Sequence, residues 1–229
     1  MKKWLNENKV FFEIGSALTF GIASVIIAIS ANRVSQSQLE IAEIQLQPLI
    51  YISEKYLNDE AGMAVETILE INNAGAPVYE FSVDTRTFYT VSTNSETIWV
   101  PVSGYYYGQF ELKAVDGKLA EVRGMNNNSV FAQLNLQHVH SKDDENFGYT
   151  ELRRVTVTRV SYETRRNEDI EEYFVGEDGS DDPWVKEAFL SFYDHNWPID
   201  INKADWPAVV NAALKIKKDT PIFVRNSGF

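Results

Sequence analysis

The chain has 229 residues, a formal net charge of −12 and no cysteine. The acidic balance argues against a general nucleic-acid coat, which needs a basic face, and against adhesion to anionic lipid by charge. Without cysteine there is neither a disulfide framework nor a thiolate metal site, and 3 histidines leave nucleophilic or zinc chemistry little to work with.

Residues 1–9 form a short tail that carries Lys2, Lys3 and Lys9. Residues 10–47 read as one long helix, a membrane span continuing into a soluble stalk. No charge occurs over residues 14–31, and Val10, Phe11 and Phe12 extend the apolar run behind Glu13. Roughly 18–22 apolar residues, rising about 1.5 Å each, cross a ~30 Å hydrocarbon core. A buried core helix and a cleaved signal peptide are the alternatives. Ala28, Ser30 and Ala31 would suit a cleavage site, but a signal peptide has a shorter apolar core and this helical pattern continues past that point.

Within the span, Ala17, Gly21, Ser24, Ala28, Ala31 and Ser35 recur at steps of four and three and share one helical face. Leu18, Ile22, Val25, Ile26 and Ile29 lie largely opposite. Small residues let helix backbones approach closely in lipid, and the stripe continues as Leu39, Ala42 and Leu46. The expectation is a homo-oligomer joined along this face, although Gly, Ala and Ser are also common in spans generally. Pro48 closes the helix. Lys/Arg counting, with only Arg33 following the span closely, favours a cytoplasmic N-terminus and an external head.

Residues 48–178 read as a β-rich head. Residues 49–52 begin it, and residues 65–71 and 81–91 alternate apolar and polar side chains as half-buried strands do. Turn clusters lie at 58–62 and 72–77. Residues 98–102 form a strand interrupted by Pro101, and residues 109–115 and 119–123 form a hairpin about Asp116-Gly117. Residues 130–139 read as another strand, and 154–162 with 170–175 as the last hairpin, connected by 163–169. Several short strands with turns between them predict an antiparallel β-sandwich, and for the chain a mainly β fold with added helices. Residues 179–229 are expected to be a helical appendage: Asp182 caps a first helix with Pro183 in its first turn, and a second spans 204–217. Residues 221–224 suit a closing strand or a docking segment.

Candidate chemistry is sparse. His138 and His140, alternating in the expected strand, would share a face, with Asp143 or Asp144 near enough to add a carboxylate. That face also carries Val130, Ala132, Leu134 and Leu136, so a core margin is the better reading and no metal is expected. Asp178, Asp181 and Asp182 beside Glu177 lack calcium-loop spacing. Arg153, Arg154, Arg159, Arg165 and Arg166 form the one dense basic cluster, suited to a phosphate, a nucleotide or a carboxylate, or else to an exposed strand face paired with nearby glutamates. Tyr105, Tyr106 and Tyr107 make an aromatic loop of the kind that marks partner surfaces. No nucleophile motif, Walker loop or dinucleotide fingerprint occurs, so no catalytic residue, cofactor or enzymatic activity is expected.

The run 44–52 after the span, the segment 69–77, and residues 155–162 with Glu172-Tyr173-Phe174 together resemble a loose class of bacterial proteins. These have one N-terminal span, a helical stalk and an immunoglobulin-like β-sandwich head, and some similarly built proteins are antiphage effectors. The resemblance covers roughly residues 10–175 and implies an inner-membrane protein whose head senses a ligand or partner. The expectation is therefore an oligomeric, membrane-anchored, non-enzymatic protein: an antiphage membrane effector or channel, with an envelope-anchored module for a peptide or glycan as the alternative.

Overall fold

The computed structural model describes residues 4, 8–93, 95–112, 114–141, 151–196 and 198–226. It divides into two compact units, Met1–Gln47 and Pro48–Phe229.

The first unit is the helix α1 (Lys9–Gln45). Its segment Lys9–Leu39 is long and apolar enough to cross a membrane; its apolar 18-residue window has a mean hydropathy of 2.0, and none of that window is buried in the chain. Three of its hydroxyls are satisfied locally. Ser16, Thr19 and Ser24 donate to the carbonyls of Glu13, Gly15 and Phe20 at 2.9, 2.8 and 2.7 Å, which lowers the cost of placing them in hydrocarbon.

The second unit runs, in chain order, β1 (Ile50–Asn58), β2 (Ala64–Asn73), β3 (Tyr79–Ser92), β4 (Glu96–Ser103), β5 (Gly108–Glu111), β6 (Gly117–Arg123), α2 (Asn127–His140), β7 (Glu151–Glu163), β8 (Asp169–Val175), β9 (Asp178–Gly179), α3 (Pro183–Leu190), β10 (Ile199–Asp200), α4 (Trp206–Asp219) and β11 (Val224–Asn226). A four-stranded sheet has the order β1-β2-β6-β5. A seven-stranded sheet has the order β10-β4-β3-β7-β8-β9, with β11 also on β4. The pairings are antiparallel except that of β10 with β4.

Strand alternation decides what each face of the larger sheet meets. Val83 and its β7 partner Val160, with Tyr162 and Phe174, form one core with Ile52, Leu69, Ile71 and Val122 of the smaller sheet. Tyr89 on that same face meets Phe131 of α2 at 5.3 Å between ring centroids. The opposite face is covered by the C-terminal segment: Phe88 packs on Phe192 at 5.3 Å, Trp99 on Trp184 at 4.6 Å and Tyr173 on Phe189 at 5.5 Å. Residues 88–91 are consequently buried throughout. Each large apolar side chain so covered contributes about 1.5–3 kcal/mol.

The expected two C-terminal helices are α3 and α4. Asp182 caps α3, accepting from the Trp184 N–H at 3.0 Å. Trp206, Val209, Val210 and Ala213 face inward, joined by Ile216. Residues 221–223 form a 3-10 turn before β11 closes on β4.

Other expectations need correction. Helix and strand are nearly balanced, at 40% and 39%, rather than mainly strand. Residues 130–139 belong to helix α2, not to a strand. Asn126, at φ 55, turns the chain. Asn127, fully buried, accepts the Thr67 N–H at 2.8 Å and donates to the Thr67 carbonyl at 3.3 Å. The buried positions that follow, Leu134 and His138, are four apart, while Ala132 and Leu136 of the apparent alternation are exposed. β4 also runs through Pro101. On its flank away from β3, β11 covers 96–98 and β10 covers 102–103. Residues 99–101 face no strand there among the described residues, and the missing N–H interrupts no ladder on that flank.

Candidate functional site

The face proposed for self-association is open. Ala17, Gly21, Ser24, Ala28, Ala31, Ser35, Leu39, Ala42 and Leu46 are all exposed on α1 or its last turn. A Cβ added at Gly21 meets nothing within 4 Å.

The candidate arginines do not assemble into one site, because alternation along β7 sends neighbours to opposite faces. Arg153 is exposed and donates to Glu151 at 2.8 Å. Arg154 points between the sheets. It pairs with Glu54 of β1 and donates to Thr67 Oγ1 at 3.1 Å and Tyr105 Oη at 2.6 Å. Arg159 lies on the face under α3, with its guanidinium 5.3 Å from the Phe189 ring centre, between Asp84 and Glu171. Arg165 and Arg166 occupy the β7–β8 turn, where the Arg166 N–H donates to Thr164 Oγ1 at 3.2 Å.

The tyrosine loop is mostly interior. Tyr105 is 1% exposed, Tyr106 is half-buried, and only Tyr107 projects, at 64%. Burial pushes the phenols of Tyr89, Tyr105 and Tyr106 up, and the Tyr105 hydroxyl accepts from Arg154. His138 and His140, two apart on a helix, diverge. His138 is buried against Trp206 with ring centroids 4.5 Å apart, and His140 is exposed. Asp143 and Asp144 lie outside the described residues. Glu177 accepts the Glu54 N–H at 2.7 Å, and Asp182 pairs with Arg225 at 3.1 Å. Among the described residues no three His, Asp or Glu side chains group as a metal site.

A cleft of about 790 Å³ forms where the β2–β3, β5–β6 and β7–β8 connections meet. That volume is in the range of ligand sites. Val78, Phe81 and Ala114 form its apolar floor, with the more exposed Tyr79, Leu112 and Val115 around them. Glu80, Glu111, Glu163 and Arg165 stand at its rim. Glu80 and Asn167, two of the three described non-glycine residues at positive φ, both line it. Glu80 (φ 47) sits in the register shift between Tyr79 and Ser82, and bulges of this kind re-aim a side chain.

The cleft is tied to the start of the head. Asn73, 3% exposed, accepts from the N–H of Leu49 at 3.0 Å and of Gly75 at 2.9 Å. It donates to the carbonyls of Ala76 at 2.7 Å and Val115 at 3.2 Å. Of the cleft's residues, sequence reasoning singled out only Arg165. The remainder come from segments far apart in the chain, although the turns that gather them, at 72–77, 116–117 and 163–169, are legible. The chain matches no family model, no curated protein and no solved structure.

Proposed function

We propose that the protein is a single-span, self-associating membrane anchor whose head recognises a ligand or partner without catalysing a reaction. The observation that carries this reading is α1: 31 residues able to cross a membrane, none of whose apolar window is buried by the rest of the chain. An apolar surface of that extent needs another covering, and lipid together with a second copy of the helix supplies it. The two sheets sharing one core are read as an immunoglobulin-like sandwich, and the cell (inner) membrane as its location. The sharper form of the proposal is an antiphage membrane effector or channel driven by binding at the head. The alternative is an envelope-anchored binding module.

A Cβ at Gly21 meets nothing within 4 Å of its own chain, so a change in assembly for Gly21→Leu points to contact between copies. Cross-linking in membranes at matched expression is expected to lose most of the oligomer ladder for Gly21→Leu and to keep it for Ile26→Leu on the far side. An unchanged Gly21→Leu ladder removes the self-association. Protease shaving of intact cells separates the two forms: the head is spared in the effector and cut in the envelope module.

A further inference from the structure

The cleft carries a chemical signature of its own. Among the described residues no ion pair joins Glu80, Glu111 or Glu163 to a cation. Among the described residues, three carboxylates and one guanidinium, that of Arg165, line this apolar floor. Charge complementarity calls for a cationic occupant, and the floor calls for one with an apolar stem, which is the chemistry of a lysine or arginine side chain.

The walls indicate a chain rather than a small amine. β3 pairs with β4 only over 87–92, so on that flank residues 79–86 face no strand among the described residues. β5 is the terminal strand of the smaller sheet. These two strands approach each other at the cleft, where the Val83 N–H is met at 3.4 Å by the Glu111 carboxylate. Unpaired strand edges accept an extended peptide; the Val83 N–H already donates to Glu111, which with the bulge at Glu80 limits that pairing to a few bonds.

We infer that the cleft binds an extended, basic segment of a partner protein, its lysine or arginine stems on Phe81 and Leu112 and its charges on Glu80, Glu111 and Glu163. This deepens the recognition role proposed above and rests on it.

The test uses the full chain in detergent micelles and a fluorescein-labelled peptide alternating lysine and valine. Its glutamate–valine counterpart and spermidine serve as comparisons. Saturable binding of the lysine peptide alone is expected. Glu80→Gln, Glu111→Gln and Glu163→Gln should each weaken it by about two- to fivefold, and the triple variant by more than any single one. Ala114→Trp should fill the floor and abolish binding, while the rim variant Glu163→Lys tests the same cleft should that core change disturb folding. Asp181→Asn, in the separate acidic groove beside α3, should change nothing.

Three results overturn the inference: no saturable binding of the lysine peptide, an Asp181→Asn loss equal to those in the cleft, or displacement by spermidine at equal affinity. The α1 cross-linking ladder, read in membranes carrying the same variants, keeps the two proposals apart. Lost peptide binding with an intact ladder removes the cleft assignment and leaves the anchor; a lost ladder with intact peptide binding does the reverse.

Discussion

At the scale of single residues, Arg154 joins the two sheets by charge. Its guanidinium reaches Glu54, Thr67 and Tyr105 in a site where the side chains of Arg154 and Glu54 are only 14% and 20% exposed. Removing one partner of such a pair leaves the other uncompensated, at a cost of about 3–5 kcal/mol. Arg154→Ala is expected to lower the urea midpoint of the full chain in detergent, followed by tryptophan fluorescence, far more than Arg153→Ala, whose partner Glu151 is exposed. Equal effects would show that the pair adds nothing to stability. Gly124 is a second such position. A Cβ there would collide with the Tyr105 carbonyl and the Asn127 side chain, the residue that anchors the start of α2 to β2. Gly124→Ala should therefore destabilise the head, an outcome opposite to that of an unstrained glycine-to-alanine change; a raised melting temperature would disprove this.

At the scale of elements, the smaller sheet carries a charged ladder on one face. Lys118 of β6 bridges Glu70 of β2 and Glu121 of its own strand, and Lys55 of β1 also meets Glu70. Hydrogen bonds from Lys118 and then Lys55 hold the Glu70 carboxyl below its ordinary value of 4.5. Lys118, followed by Arg123 against the opposing effect of burial, does the same for Glu121. A depressed folded value means that the unfolded chain binds protons first as pH falls. The stabilisation is therefore complete above about pH 4.5 and is lost as pH drops through the lower folded values. Lys118→Met should flatten this acid limb, measured as urea midpoints across the acid range, and an acid limb as steep as that of the parent chain would refute the assignment.

At the scale of the whole molecule, the larger sheet is covered on both faces, and the C-terminal segment is one of the covers. Phe88, Trp99 and Val157 lie beneath α3 and the turn that follows it, and β11 closes β4. Truncation after Gly179 would expose this surface, and apolar patches of that kind drive association. In detergent micelles, which cover α1 in both chains, the truncated chain is expected to aggregate more readily than the full chain, read by size-exclusion chromatography. A monodisperse truncation with the parent melting temperature would make the segment dispensable.

What the sequence determined by itself is what local chemistry encodes. An uninterrupted apolar run produces α1 whatever follows it. Asp116-Gly117 and residues 163–169 make hairpin connections because few backbone conformations satisfy such turns. Asp182 and Pro183 start α3 because the half-buried Asp182 carboxylate caps the first turn, accepting from the Trp184 N–H. Tertiary structure decided the rest. Residues 130–139 offered both a two-residue and a four-residue period, and the anchoring of Asn127 against Thr67 selected the helix. The run of arginines and the run of tyrosines looked like surface features, yet Arg154 and Tyr105 became each other's buried partners, because pairing across sheets depends on strand order rather than on spacing. The cleft was the least legible feature of all. Its floor and rim come from three connections brought together by the register of β3 with β7 and of β5 with β6, and no single segment records that convergence.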